Sequence, residues 1–166
     1  MSVVTTKSVQ ITNRDASPRV LNNAFLEGAM VRSARDVCSI ANGDSVGSKY
    51  LFFTLPSNAV PISVRKSHPD IGTTTAADVG LYRTTVDGGA VVDADFFTAA
   101  TVLNAGAVTK GELVGGNVPT PANGGKRLWE LLGLSSDPKI LYDVVLTLTG
   151  AADAAGSVLL ECDYVE

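Results

Sequence analysis

Histidine and cysteine are the scarcest chemistry-bearing residues of this 166-residue chain, with one of the first and two of the second. A single histidine, His68, excludes a metal site built on several imidazoles. It also reduces any nucleophile–histidine arrangement to whether that one ring finds a partner. His68-Pro69-Asp70 reads as an exposed loop with an ordinary surface histidine, because general-base work needs a positioned partner that nothing nearby supplies. Cys38 lies in a strand-like run, and two cysteines are too few for a disulfide framework. Both thiols are expected free, in a chain made in a reducing cytoplasm, with Cys162 buried as a small apolar residue. No run approaches the roughly 18 apolar residues of a membrane span. The opening Met1-Ser2-Val3-Val4-Thr5-Thr6-Lys7 carries no apolar secretion core. Charged residues make up only 18% of the chain, a share that fits surface destined for burial against a partner and fits equally a sandwich rich in Ala, Val, Thr and Gly. A net charge of −4 argues against direct nucleic-acid binding, which needs clustered Lys and Arg. Gly88-Gly89 and Gly124-Gly125 lack the Lys-Ser/Thr ending and the strand-to-helix setting of a phosphate loop.

What the chain does have is strand pattern. Lys49-Tyr50-Leu51-Phe52-Phe53-Thr54-Leu55 has the bulk of a strand covered on both faces. Pro56-Ser57-Asn58-Ala59 breaks it, and Pro61-Ile62-Ser63-Val64-Arg65-Lys66 alternates as a half-exposed return strand should. Ala77 to Arg83 is a further strand, and Asp87-Gly88-Gly89 turns into Val91 to Phe97. Thr98 to Leu103 is either a helical turn capped by Asp95 or a short strand, ended by Asn104-Ala105-Gly106. Val108 and Leu113-Val114 belong to another strand or a packed loop. Residues 115–125 are rich in breakers and predict an exposed loop. Upstream, residues 29–40 predict a strand that Asn42-Gly43-Asp44 turns as a hairpin into the Tyr50 strand.

The one helix predicted is Lys126 to Gly133, where Leu128, Leu131 and Leu132 share a face and Gly133 suits the left-handed terminating position. Trp129 is expected to plug one end of the core. Near the end of the chain, Tyr142, Val144, Leu146 and Leu148 alternate with polar residues, as do Val158, Leu160, Cys162 and Tyr164. They predict an antiparallel hairpin across Gly150 to Gly156, with Asp143, Glu161 and Asp163 facing water. Residues 1–28 read as an extended arm, with Lys7 to Ile11 as a short pairing strand, and residues 29–166 as one domain. The fold class is all-β: an antiparallel β-sandwich, jelly-roll-like, with the arm and one short helix near 126–133.

Leu81-Tyr82-Arg83 followed by Gly88-Gly89-Ala90-Val91-Val92-Asp93-Ala94-Asp95 resembles the decoration, or cement, proteins of tailed-bacteriophage heads. The likeness covers roughly the central third of the chain. It implies a non-enzymatic structural virion protein on the capsid outer surface, assembled in the host cytoplasm. The partners it implies are the major capsid protein, gripped across several subunits, and the chain itself as dimer or trimer, with no cofactor, membrane or direct nucleic-acid contact. Candidate contact residues are Arg14, Arg19 and Val20 on the arm and Asn117 and Asn123 on the 115–125 loop; no catalytic or metal residue is assigned.

Charge is unevenly placed. Residues 1–35 hold five cations (Lys7, Arg14, Arg19, Arg32, Arg35) against Asp15 and Glu27, whereas residues 137–166 hold Lys139 against six acids. The two segments complement one another, within the chain or between copies. Asp87, Asp93 and Asp95 offer hard oxygens to a calcium ion, but without EF-hand spacing. The rival function is a carbohydrate-binding sandwich of a fibre or lectin-like protein, which the shortage of aromatics in the loops disfavours. A small hydrolase or isomerase has no nucleophile–base pair to use.

Overall fold

Period-two alternation governs the chain beyond residue 30. The computed structural model describes residues 5–25, 27–103, 106–113, 115–117 and 119–166. It places eight strands: β1 (Val31–Ile40), β2 (Lys49–Pro56), β3 (Val60–His68), β4 (Ala76–Arg83), β5 (Val91–Val102), β6 (Val108–Glu112), β7 (Leu141–Gly150) and β8 (Gly156–Val165). They form two four-stranded sheets, ordered β1-β8-β3-β6 and β2-β7-β4-β5, antiparallel at every pairing. Each connection except β4–β5 crosses from one sheet to the other. Eight strands wound this way, in two facing sheets, make a jelly roll, so the sandwich and its jelly-roll form are as expected.

The strand pairings differ from the sequence reading. β7 and β8 are not a hairpin: β7 pairs with β2 and β4, β8 with β1 and β3. Nor do β1 and β2 form one, because they lie in opposite sheets. β3 likewise returns in the other sheet. Alternation fixes which side chains point inward and leaves the neighbouring strand open. β2 is an edge strand with Leu51 half exposed, so it is not covered on both faces. Residues 98–102 resolve as strand, within β5. Asn104 and Val114 lie outside the described residues.

The alternation itself holds. Tyr142, Val144, Leu146 and Leu148 of β7 and Val158, Leu160 and Cys162 of β8 are buried between the sheets. The opposite faces of these strands are only partly in water: Asp143, Val145 and Glu161 are buried too, while Thr149 and Ser157 are exposed. β7 and β8 are each one of the two inner strands of their sheets, so neighbouring side chains lie across them. Tyr82, paired with Asp143, runs along the sheet to place its hydroxyl 2.9 Å from Thr147 Oγ1. Asp163 is half-buried and accepts from Arg65 Nη2 at 2.6 Å.

β5 carries a large bulge, since β4 advances from Val79 to Leu81 while β5 advances from Thr98 to Asp93. This lets both Phe96 and Phe97 turn inward, edge to face with centroids 4.9 Å apart. Gly80 is required beneath it, because a Cβ there would collide with the Asp93 and Ala94 carbonyls.

Two short helices flank the sandwich. α1 (Val9–Asp15) replaces the expected extended segment: Ser8 caps it, accepting from the Ile11 amide at 3.4 Å, and none of its residues is buried. A serine cap within a turn-rich stretch was the available signal. α2 (Leu128–Leu131) falls where expected, with Leu128 buried and Leu131 and Leu132 packed against the core. Glu130 accepts from the Arg127 amide at 2.8 Å, and Gly133, at φ 70°, terminates the helix. Trp129 is half-buried, its amide donating to the Ser57 carbonyl at 3.1 Å.

Candidate functional site

Groups with reactive potential are tied into the scaffold. His68 is not in an exposed loop. It ends β3 on the same face as Val64 and Lys66, 4% exposed. Its Nδ1 lies 2.7 Å from the Pro69 carbonyl, and its Nε2 is buried without a hydrogen-bond partner. Burial lowers its pKa, opposed by the Pro69 contact. Lys66 beside it is buried as well, donating from Nζ to Thr101 Oγ1 at 2.5 Å and the Val102 carbonyl at 2.6 Å, and burial lowers its pKa. Both cysteines are free. Burial raises the pKa of Cys38 and pushes Cys162 up to about 12, so neither favours a thiolate.

A cleft of about 360 Å³ lies where Pro56, Ser57 and Asn58 meet Asp137, Lys139 and Ile140. Ser57 Oγ donates to Asp137 Oδ1 at 2.5 Å, and the Lys139 amide donates to the same oxygen at 2.9 Å. The Ser57 bond, foremost, lowers the Asp137 pKa. With no imidazole at hand, the pair joins the chain before β7 to the β2–β3 connection. Of the suggested calcium ligands Asp93 and Asp95 lie together, but the three do not converge. Asp87 accepts from Thr84 Oγ1 at 2.8 Å in the turn Thr85–Asp87, while Asp93 accepts from the Asp95 amide at 3.3 Å. Among the described residues no three His, Cys, Asp or Glu side chains gather as a metal site.

The surface is more informative. On the arm, Asp15 accepts from Lys7 at 2.9 Å and from Arg14 at 2.8 Å, so Arg14 is already paired. Arg19 is exposed and makes no ion pair among the described residues. Val20 is half exposed beside it, and its amide donates to the Asn13 carbonyl at 3.2 Å. Phe25 ties the arm back to the body, 4.6 Å from the Arg127 guanidinium. Sequence reading missed the apolar side chains left in solvent on and just after the N-terminal segment, Val9, Leu21 and Met30, each more than three-quarters exposed.

The loop candidates are less free. Asn123 Oδ1 accepts from the amide and hydroxyl of Thr120, holding its own turn. Asn117, half-buried, donates its amide to the Phe96 carbonyl at 2.6 Å and so docks on the β5 bulge. The structure therefore brings Arg14, Arg19 and Val20 together on the arm, with Asn117 and Asn123 apart in sequence on a loop partly pinned to the sandwich. The charge asymmetry is partly satisfied within the chain, through Arg32–Glu166 at 3.4 Å and Arg35–Glu161 at 3.9 Å.

No protein-family model matches the chain, and no curated protein matches its sequence. Similar solved structures include a chain of the capsid of Ralstonia phage GP4, with 19% identity and a TM-score of 0.53 over 82% of this chain and 84% of that one. They also include a chain of the capsid asymmetric unit of cyanophage Pam1, with 17% identity and a TM-score of 0.49 over 82% and 85%. What this chain has in common with the Ralstonia phage structure is the fold.

Proposed function

We propose that the chain is a non-enzymatic structural protein of a phage virion, which decorates the outer surface of an icosahedral capsid and reinforces it. The observation that carries this reading is the shared fold with a chain of the Ralstonia phage GP4 capsid over more than four-fifths of both molecules. Among the described residues Ser57 Oγ is held by Asp137 and His68 Nδ1 lies against the Pro69 carbonyl, which fits a passive role. The N-terminal segment supports an adhesive one, since the largely exposed Val9 and Leu21, with Met30 just beyond them, gain by being covered.

The mechanism is multivalent clamping. The arm, with Arg19 as the free cation and Val20 and Leu21 as apolar contacts, grips one major capsid subunit while the loop around Asn117 and Asn123 reaches another. Contacts that are individually modest add through effective concentration. Copies associate with one another as dimer or trimer on the lattice.

Co-sedimentation with assembled shells tests the reading. The chain is expected to pellet with shells and saturate at a fixed ratio, and the double variant R19E/L21E is expected to weaken binding at least about tenfold, as loss of a central charged and apolar contact does. A chain that stays in the supernatant with every shell overturns it.

A further inference from the structure

β1 is the one long sheet edge that the described chain leaves without a backbone partner, although it lies beside β2, whose Leu51 carbonyl accepts from Cys38 Sγ at 3.3 Å. Of the four edge strands, β2 and β5 are broken by register shifts, and β6 has only five residues. β1 pairs with β8 in one unbroken register over all ten residues, from Val31 opposite Val165 to Ile40 opposite Gly156. Bulges, prolines and short length blunt an edge, and β1 has none of these, its remaining protection being the charges of Arg32, Arg35 and Asp36. Its outward-facing Val31 and Val37 are 59% and 54% exposed. The Val37 amide is taken by the Asp36 carboxylate at 2.8 Å, so it points away from β8, into the free edge. Among the described residues no backbone group bonds to that edge.

We propose that β1 pairs antiparallel with β1 of a second copy across a two-fold axis centred on Ala34, joining the two β1-β8-β3-β6 sheets into one. In that register Val31 lies opposite Val37, Arg32 opposite Asp36 and Ser33 opposite Arg35, and the symmetry makes each pair twice. The exposed valines cover each other, and opposite charges face across the strands. Neighbouring registers fail on charge: an axis at Arg35 sets that cation against itself, and one at Asp36 does the same with the carboxylate. An axis at Ser33 leaves Asp36 facing Met30. On pairing, Asp36 turns from the Val37 amide to the second copy's Arg32, and the freed amide enters the new ladder. A single strand–strand contact belongs with interfaces below about 1,200 Å², which are weak and transient, so the dimer is concentration-dependent in solution. The inference deepens the self-association part of the proposed function and does not require shell binding.

Sedimentation equilibrium of the full chain from about 1 μM to about 1 mM, the range in which weak association registers, is the test. The chain is expected to dimerise reversibly. R32E and D36R, each placing two like-charge pairs in the interface, are expected to weaken the dimer at least about fivefold, and R32E/D36R to restore it to within about twofold. D36R is the cleaner single variant, since Asp36 makes no ion pair among the described residues; thermal melting of each variant checks that it is folded. A chain monomeric throughout, a dimer indifferent to both single variants, or a double variant as weak as the singles overturns the pairing. Shell binding is read separately by co-sedimentation, so either proposal fails without the other.

Discussion

His68 shows how far a local reading carries. The period that buries Val64 and Lys66 was visible as far as Lys66, although Ile62 before them turns out exposed at a register shift, and two more residues of that period place His68 on the inward face, where the structure has it. His-Pro-Asp composition suggested a loop and hid this. Burial holds the His68 pKa below its ordinary 6.5, so as pH falls the unfolded chain takes up the proton first. The stability present above about pH 6.5 should be lost as pH falls toward the folded value, by at most about 1.4 kcal/mol per pH unit. Urea unfolding at steps between pH 8 and 5 measures it, and His68→Gln should flatten the dependence in that window. A second residue acts at lower pH. Asp153 accepts from the Thr73 amide at 2.9 Å and from its hydroxyl at 2.5 Å, tying the β3–β4 connection to the β7–β8 connection. Those bonds, the hydroxyl's foremost, lower its pKa to about 2. Its contribution is therefore present above pH about 4 and lost on acidification through about 2. Asp153→Ala should melt earlier than the parent at pH 7, with the difference closing as the pH approaches 2.

At the scale of elements, the strands and α2 were legible because their signals are local: period-two alternation in β7 and β8, and leucines three and four apart before Gly133. Strand partners were not. Gly150 and Gly156 look like hairpin boundaries, yet the five residues between them carry the chain across the sandwich, and nothing in their composition separates the two outcomes. α1 was missed because seven residues among turn formers leave almost no periodicity to read. The β5 bulge was equally hidden, although Gly80 marks it. Gly80→Ala should cost about 1–3 kcal/mol, the range for forcing extra volume into a packed site, because the β5 backbone above it must move. Leu128→Ala should cost about 2–5 kcal/mol, since Leu128 is fully buried and its amide also donates to the Ala59 carbonyl at 2.9 Å. Denaturant melts of the two variants check both figures.

For the whole molecule, the all-β class followed from composition and turn spacing, and the jelly-roll winding is the arrangement that buries both inner faces while leaving one hairpin, β4–β5. The contact surface was legible only as a region. Arg14 and Arg19 look alike in sequence, and only the structure separates the paired cation from the free one. The same holds for Asn123, whose turn-holding role is invisible until Thr120 is seen beside it. The proposed adhesive role rests on a sandwich whose reactive groups are tied down and on apolar side chains exposed near its N-terminus. Electron cryomicroscopy of phage shells incubated with saturating chain tests that most directly. The account predicts density for two four-stranded sheets repeated at lattice positions on the outer surface, each copy touching at least two capsid subunits. Bare shells at saturation, or copies bound through a pocket to a small molecule or glycan instead, would contradict it.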